Sequence, residues 1–568
     1  MSRVPAEPTS LGYCLRISFI LSIIYFLSGF LSPYRDAEIH AVVANNILDG
    51  QGLSFTGDRA PDSFSWTLRS GDREVPVDVQ AIDPSISALI ASGELVQGKP
   101  DYLIQPTIAT NRWANTFLPG PTFWGLPFFA IGRMVTPPDQ LSFMNALIGK
   151  GTAAIAAAIS AVFLYLSLRS LYGHGTARGV LFCYAFGTCI WSVASQHLMS
   201  HAPNLLFLNA GIYAYLKSQE QVRASVFVGL LWGCAVWCRA TSALVIMPVA
   251  LGWLFYSPVR LLGLLAGGLP LALMLGLHNQ LLFGSPWFFG ELAQHDSIEQ
   301  IRGGGGVFQT PLSEGLAGIL ISPGRGLFVY SPVLIFGLIG LVRGSVGPRK
   351  FLCLPMLIGM IAVWIVQSLH FDWWGGWTFG YRAVVDTVPV LCIGLAEIYE
   401  QISIITWRRW AYRTLLAWSV AVQLVGVLLY DLIGWNGREL WRVPNPNGQT
   451  ALYEPWSDSP PNTIPPIEII RHNIDEPEYR DRLWSITDSP LVYYLTHPAV
   501  SVRNKVRLSA YTAWEIHFKT AETLTSIAKG FQQLGRPGRA LSFIRRAVEI
   551  DPSPERKALL DLLEGRKA

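Results

Sequence analysis

The stretch Phe117-Leu-Pro-Gly-Pro-Thr-Phe-Trp-Gly-Leu-Pro-Phe-Phe-Ala-Ile-Gly132 decides how the rest of the chain is threaded. It is apolar enough to pass for a membrane span. Prolines at 119, 121 and 127 and glycines at 120, 125 and 132 make it poor material for a straight spanning helix. Taken instead as an interfacial or re-entrant piece, it leaves apolar spans at about 15–31, 142–169, 177–194, 201–216, 224–238, 241–256, 260–279, 327–342, 351–369, 383–399 and 412–433, roughly eleven in all. Alternate loops then carry Arg3 and Arg16; Arg169 and Arg178; Lys217 and Arg223; Arg260; Arg343, Arg349 and Lys350; and Arg408, Arg409 and Arg413. That is the Lys/Arg excess of cytoplasmic loops, so the N-terminus is expected inside and the C-terminal region outside. Counting 117–132 as a span would move Arg169 and Arg178 to the outer side.

Composition agrees with this threading. The 568 residues are 51% hydrophobic and only 14% charged, with a mean hydropathy of +0.34. Those values exclude a soluble protein of this size and indicate a polytopic membrane protein, expected to be all-α and to lie in the cytoplasmic (inner) membrane. A net charge of +4, with basic residues distributed by topology, gives no footprint for nucleic acid. The seven cysteines lie in or beside apolar spans and read as small core residues, so neither a disulfide nor a metal site is expected. No cofactor is indicated.

The unusual sequence collects on the outer side. The first loop, 34–140, begins Tyr34-Arg-Asp-Ala-Glu-Ile-His-Ala-Val-Val-Ala-Asn-Asn-Ile-Leu-Asp-Gly50 directly after the first span. As a helix it would place Asp36 and His40 one turn apart, with Val43, Ile47 and Leu48 as an apolar strip for lipid or other helices. A carboxylate is thereby held at the membrane boundary. The other outer segments are 284–325, whose Gly303–Gly306 run reads as a flap, and His370-Phe-Asp-Trp-Trp-Gly-Gly-Trp-Thr-Phe-Gly-Tyr-Arg382. Beyond the membrane domain, 1–433, comes a Pro- and Asn-rich linker, 434–489, expected to be irregular. A helical module, 490–568, follows. Within it, 521–552 resembles one tetratricopeptide repeat, with Ala528, Gly535, Ala540, Ala547 and Pro552 at the small and helix-ending positions. One helical pair cannot bury a repeat core alone. It is expected to dock on 490–520 or to serve as an appendage for a protein partner.

Four motifs taken together, over roughly 14–433, resemble the GT-C superfamily. They are Asp36-Ala-Glu-Ile-His-Ala-Val-Val-Ala44, Phe283-Gly-Ser-Pro286, Ser322-Pro-Gly-Arg-Gly-Leu-Phe-Val-Tyr-Ser-Pro332 and Trp373-Trp-Gly-Gly-Trp-Thr-Phe-Gly-Tyr-Arg382. Members of that superfamily are polytopic glycosyltransferases using polyprenyl-phosphate sugars; aminoarabinose transferases and protein O-mannosyltransferases are among them. The resemblance implies a GT-C-like bundle, a polyprenyl-phosphate sugar donor and a lipid, polysaccharide or protein acceptor. One departure is that Ala37 separates Asp36 from Glu38, where many relatives place two acidic residues in succession.

The residues themselves point to the same chemistry. Nucleotide sugars are made in the cytoplasm, so an outward-facing site beside the bilayer suits a lipid-carried sugar. A phosphate leaving group needs no protonation near neutral pH, so one carboxylate acting as base on the acceptor hydroxyl suffices for a single inverting displacement. Asp36 is the candidate base. Arg382 and Arg325 are candidates to meet the departing phosphate. Glu38, His40, His201, Asp372, Trp377 and Arg239 are candidate substrate contacts; the structural alternatives are a satisfied interface histidine for His201, an Asp372–arginine pair, an aromatic-belt Trp377, and for Arg239 a partner or a water-filled cavity. Two rivals belong to other classes, a transporter or flippase of lipid-linked glycans and a non-catalytic scaffold for the C-terminal module. A transporter would show paired, broken helices in related halves, and no such symmetry is present.

Overall fold

The computed structural model describes residues 11–31, 35–137, 140–288, 290, 306–444, 450–453, 468–513 and 515–565. Arg3 and, apart from Gly306, the expected glycine flap lie outside the described residues. The chain divides into two compact units, Met1–Leu31 with Gly149–Leu275 and Gly305–Arg507, and Ser32–Ile148 with Gly276–Gly304 and Leu508–Ala568.

Helices dominate the first unit. Phe143–Tyr172, Pro258–Phe283, Lys350–Leu369 and Thr406–Leu429 are long and apolar enough to cross a membrane. Shorter apolar helices include Leu11–Leu27, Ala224–Cys238, Ser242–Tyr256 and Leu334–Val346. The chain is a multi-pass membrane protein. Several expected spans are broken where the sequence supplies a break. Helix His174–Phe186 ends at Gly187 and is followed by a π turn at Ile190–Ala194. Pro332, which has no N–H to donate, separates Leu327–Tyr330 from Leu334–Val346. Glycines set the closest approaches between helices. A Cβ on Gly340 would overlap the Gly394 carbonyl of helix Val388–Ile404, and one on Gly229 would overlap the Leu264 carbonyl. Small residues at such contacts let backbones approach where lipid removes the hydrophobic drive for helix pairing.

Two expectations for the C-terminal third are revised. The supposed irregular linker contains a three-stranded antiparallel sheet, with Gly437–Pro444 between Thr450–Tyr453 and Glu468–Asn473. Helix Pro490–Thr496 and the following helix as far as Arg507 belong to the first unit. There Tyr494 and Asn504 donate hydrogen bonds to buried Asp431, at 3.0 and 2.7 Å.

In the second unit the first loop is folded. Strands β1 (Phe64–Ser70), β2 (Arg73–Val77) and β3 (Leu95–Pro100) pair antiparallel in the order β2-β1-β3, with Leu68 opposite Val75 and Leu95. The burial of β1 alternates, placing Phe64, Trp66 and Leu68 on the inner face. Helices Glu515–Gln533, Pro537–Ile550 and Pro554–Glu564 cover that sheet. Leu524, Ile527, Phe531, Phe543 and Ile544 share one core with Trp66, Leu68, Val77 and Leu95. The seam is also polar: Asp78 and Gln80 backbone N–H groups donate to Ser526 Oγ and Thr523 Oγ1, both at 2.8 Å. Arg546 pairs with Asp83 at 2.7 Å and Arg539 pairs with Glu94. The repeat-like helices therefore bury their apolar face on the first-loop sheet, a surface the sequence reading did not single out.

Candidate functional site

Asp36 lies in the first turn of helix Arg35–Leu48, together with Glu38, and both side chains are partly buried. Acidic residues there complement the unpaired N–H groups of a helix start. The helix is fastened at both ends. Arg35 pairs with Asp101 at 2.5 Å and donates to the Asp62 carbonyl at 2.8 Å. Asp49, just past the last turn, accepts from Arg133 at 2.6 Å and Arg59 at 2.8 Å. Burial pushes the Asp101 carboxyl up to about 6, although Arg35 pulls the other way. The apolar strip of the helix is used internally: Val43 is buried in the second unit's core, against which Ile47 packs.

His40, a candidate substrate contact, is 2% exposed. Its Nδ1 lies 2.9 Å from Thr122 Oγ1 and 3.4 Å from Asn115 Nδ2. Asn115 is oriented by its Oδ1, which accepts from the Phe117 N–H at 2.9 Å. Its Nδ2 is therefore the donor, and His40 Nδ1 the acceptor. Thr122, Asn115 and Phe117 also line a small recess with Val43, Leu53, Pro119 and His278. Thr122 belongs to helix Gly120–Val135, which encloses Pro127 and packs on helix Arg35–Leu48. At 16 residues it is short for a span.

Burial pushes the His40 imidazole down to about 3. A base whose folded pKa is depressed binds fewer protons folded than unfolded, so its contribution is intact above about 6.5 and is lost as pH falls below that value. Asp101 acts in the opposite sense between the usual carboxylate range and about 6. The decisive comparison is therefore between variants. We expect the thermal midpoint in detergent to fall less between pH 7 and pH 5 for His40→Gln than for the wild type. Equal falls would remove the buried neutral imidazole from the account.

In the first unit, Arg382 follows the Trp-Gly-Gly-Trp turn. Gly375, Gly376 and Gly380 have φ of +74°, +65° and +79°, the left-handed region that a glycine enters without strain. The Gly376 N–H donates to Asp372 Oδ1 at 3.0 Å, closing the turn. A Cβ placed on Gly376 would lie 3.4 Å from Arg382 Nη2 and 3.5 Å from Asp372 Oδ2. The turn thus brings Asp372 and Arg382 to one place and needs a glycine there to do so. Arg382 is partly exposed, and its Nη1 lies 3.5 Å from Met199 Sδ. Trp377 packs its ring edge on the backbone of Gly437.

Arg325 is placed otherwise than the sequence suggested. It is 1% exposed, and its guanidinium donates to the carbonyls of Gly324 (3.0 Å) and Gly376 (3.2 Å) and to Asn436 Oδ1 (2.7 Å). Its face lies 5.0 Å from the Trp435 ring. A cation so enclosed braces the Gly375–Gly376 turn and leaves little surface for a phosphate to approach.

Arg239 and His201 also come together. Arg239 Nε pairs with Asp386 at 3.0 Å, and its Nη1 donates to His201 Nδ1 at 2.6 Å. A guanidinium has only donors, so His201 Nδ1 is an acceptor here. Asp386 is fully buried and accepts also from Asn204 (2.8 Å) and Thr241 (2.7 Å). The sequence reading missed Asp386. The signal was available, since a carboxylate four residues into the apolar run 383–399 requires a cation. Asp36, Glu38 and His40 thus belong to one unit, and Arg325, Arg382, Arg239, His201, Asp372 and Trp377 to the other.

No family model and no curated protein matches the chain. Among solved structures it is similar to ArnT from Cupriavidus metallidurans bound to undecaprenyl phosphate, at 12% identity and a TM-score of 0.42 over 94% of this chain and 80% of that one. The apo form of the same ArnT is matched at 11% identity and 0.42, over 94% and 79%. The oligosaccharyltransferase of Archaeoglobus fulgidus, in complex with zinc and sulfate, is matched at 12% identity and 0.40, over 74% of this chain and 55% of that one.

Proposed function

We propose that this protein is a membrane glycosyltransferase that moves a sugar from a polyprenyl-phosphate carrier to an acceptor at the outer face of the cytoplasmic membrane, with its N-terminus inside. The observation that carries the reading is the Asp372–Arg382 turn: a partly exposed guanidinium set on glycines of positive φ, in a multi-pass membrane protein. Asp36 takes the acceptor proton as the acceptor oxygen attacks the anomeric carbon and the carrier phosphate leaves with the bonding pair. Arg382 meets the charge that gathers on that phosphate. Asp372 and Arg325 hold the turn, so both are positioning residues.

The test is sugar transfer in proteoliposomes from a radiolabelled polyprenyl-phosphate sugar. The wild type is expected to transfer label, and Arg382→Gln to lower turnover roughly ten- to a hundredfold, the worth of one charge-assisted hydrogen bond of about 1.5–3 kcal/mol. Absence of transfer by the wild type across hexosyl and pentosyl donors, or an unaffected Arg382→Gln, overturns the reading.

A further inference from the structure

We propose that Lys150 and Lys505, in the first unit, form a seat for a phosphate-class oxyanion separate from the Arg382 turn. Both lysines are buried, at 5% and 7% exposure. Lys150 Nζ donates to the Ser28 carbonyl at 2.7 Å, and Lys505 Nζ to the Val427 carbonyl at 2.7 Å. Lys505 Nζ also lies 4.6 Å from the centre of the Phe30 ring. An ammonium carries three N–H donors, so each lysine keeps two beyond these bonds among the described residues. Among the described residues the carboxylate within electrostatic reach of Lys505 is Asp431, and its oxygens already accept from Gly434 N–H, Tyr494 Oη and Asn504 Nδ2. Two ammonium groups against one occupied carboxylate leave an excess of buried positive charge. Buried charge is costly unless it is paired.

Two further observations favour an anion there. Burial, with Lys150 nearby, pushes the Lys505 ammonium down to about 7 while Asp431 pulls it up. Bringing an anion beside it reverses that penalty. The second is an unsatisfied acceptor. A Cβ on Gly29 would collide with Gln196 Oε1 and lie 3.7 Å from Lys150 Nζ, and Gly29 has a φ of +75°. Gln196 is itself buried, and its Oε1 has no hydrogen-bond partner among the described residues. A buried acceptor without a partner, close to an ammonium with idle donors, is a polar place left unsatisfied, which a hydroxyl on the phosphate or a bridging water completes. His197, on the next residue, is also within electrostatic reach of Lys150.

The seat is close to the Arg382 turn along the chain. Met199 touches Arg382, and Gln196 lies three residues earlier, so their Cα atoms are at most about 10 Å apart. The loop 195–200 therefore lies between the two cationic places. The inference does not depend on the transferase reading.

The test is thermal unfolding of the full chain in a phosphate-free maltoside detergent at constant ionic strength, with three additions: inorganic phosphate, dihexanoyl phosphatidylglycerol and, as uncharged control, dihexanoyl glycerol. The wild-type midpoint is expected to rise by about 2–4 °C with at least one phosphate compound and not with the control. A rise with both phosphate compounds identifies a seat open to free phosphate. A rise with the lipid alone identifies a headgroup seat. In Lys150→Met and Lys505→Met the rise is expected to vanish, and in Lys505→Arg to persist. The midpoint of Lys505→Met without addition is expected to be no lower than that of the wild type, because an uncompensated buried charge is gone. No rise in the wild type, an equal rise with the uncharged lipid, or a rise that survives in both methionine variants overturns the proposal.

Discussion

Replacing Asp36 by Asn is expected to lower sugar transfer about 10²–10⁴-fold, the range that a positioned general base contributes. The change is nearly isosteric, and the side chain is only partly buried at the start of its helix, so folding should be little disturbed. An amide cannot accept the proton that the acceptor hydroxyl must shed. Loss should therefore fall on turnover, with the KM for the lipid donor nearly unchanged, since binding of the carrier phosphate is assigned to Arg382. Donor-saturation curves in proteoliposomes separate the two parameters. Asp36→Glu, which keeps the carboxylate but displaces it by one methylene, should retain more activity than Asn. Turnover of Asp36→Asn equal to the wild type would dismiss this residue as the base and leave Glu38, two residues on, as the carboxylate at the start of that helix.

The largest expected loss of stability is at Asp386. This carboxylate is fully buried, pairs with Arg239 and accepts from Asn204 and Thr241. Removing one partner of a buried ion pair leaves the other charge uncompensated, at a cost of about 3–5 kcal/mol. Asp386→Ala is expected to show that loss as a lowered unfolding midpoint in detergent and a reduced monodisperse fraction. Replacing both partners with apolar residues, Arg239→Met with Asp386→Leu, should recover much of it, because no charge is then stranded. The double-mutant cycle isolates the coupling between the two residues. Purely additive losses would mean that each residue acts through its other contacts and that the pair carries no energy of its own.

The helical bundle was legible because apolar runs are local signals, and 117–132 was kept out of the span list by its own prolines and glycines. What escaped was pairing between distant segments. The helices after Glu515 display a clear apolar face, but nothing in their periodicity names Leu68 and Val77 as its destination. The strands Gly437–Pro444 and Glu468–Asn473 pair across a polar stretch that reads as irregular, because strand formation depends on neighbours more than on intrinsic preference. Arg325 was legible as a cation between two glycines at the mouth of a span. Its enclosure was not, since it depends on Asn436 and Trp435, more than a hundred residues later. His40 carries the same lesson, because Thr122 lies in the stretch that first looked like a span and Asn115 just before it.

The β-sheet in the first loop has a timing consequence. Asp78 and Gln80 are bonded by Ser526 and Thr523, separated from them by 448 and 443 positions. At about 5–20 residues added per second, the ribosome supplies those partners on the order of 20–90 s after the strands have emerged. During that interval Trp66 and Leu68 have no lid, and a nascent chain with an uncovered apolar sheet needs a chaperone or the lipid surface to shelter it.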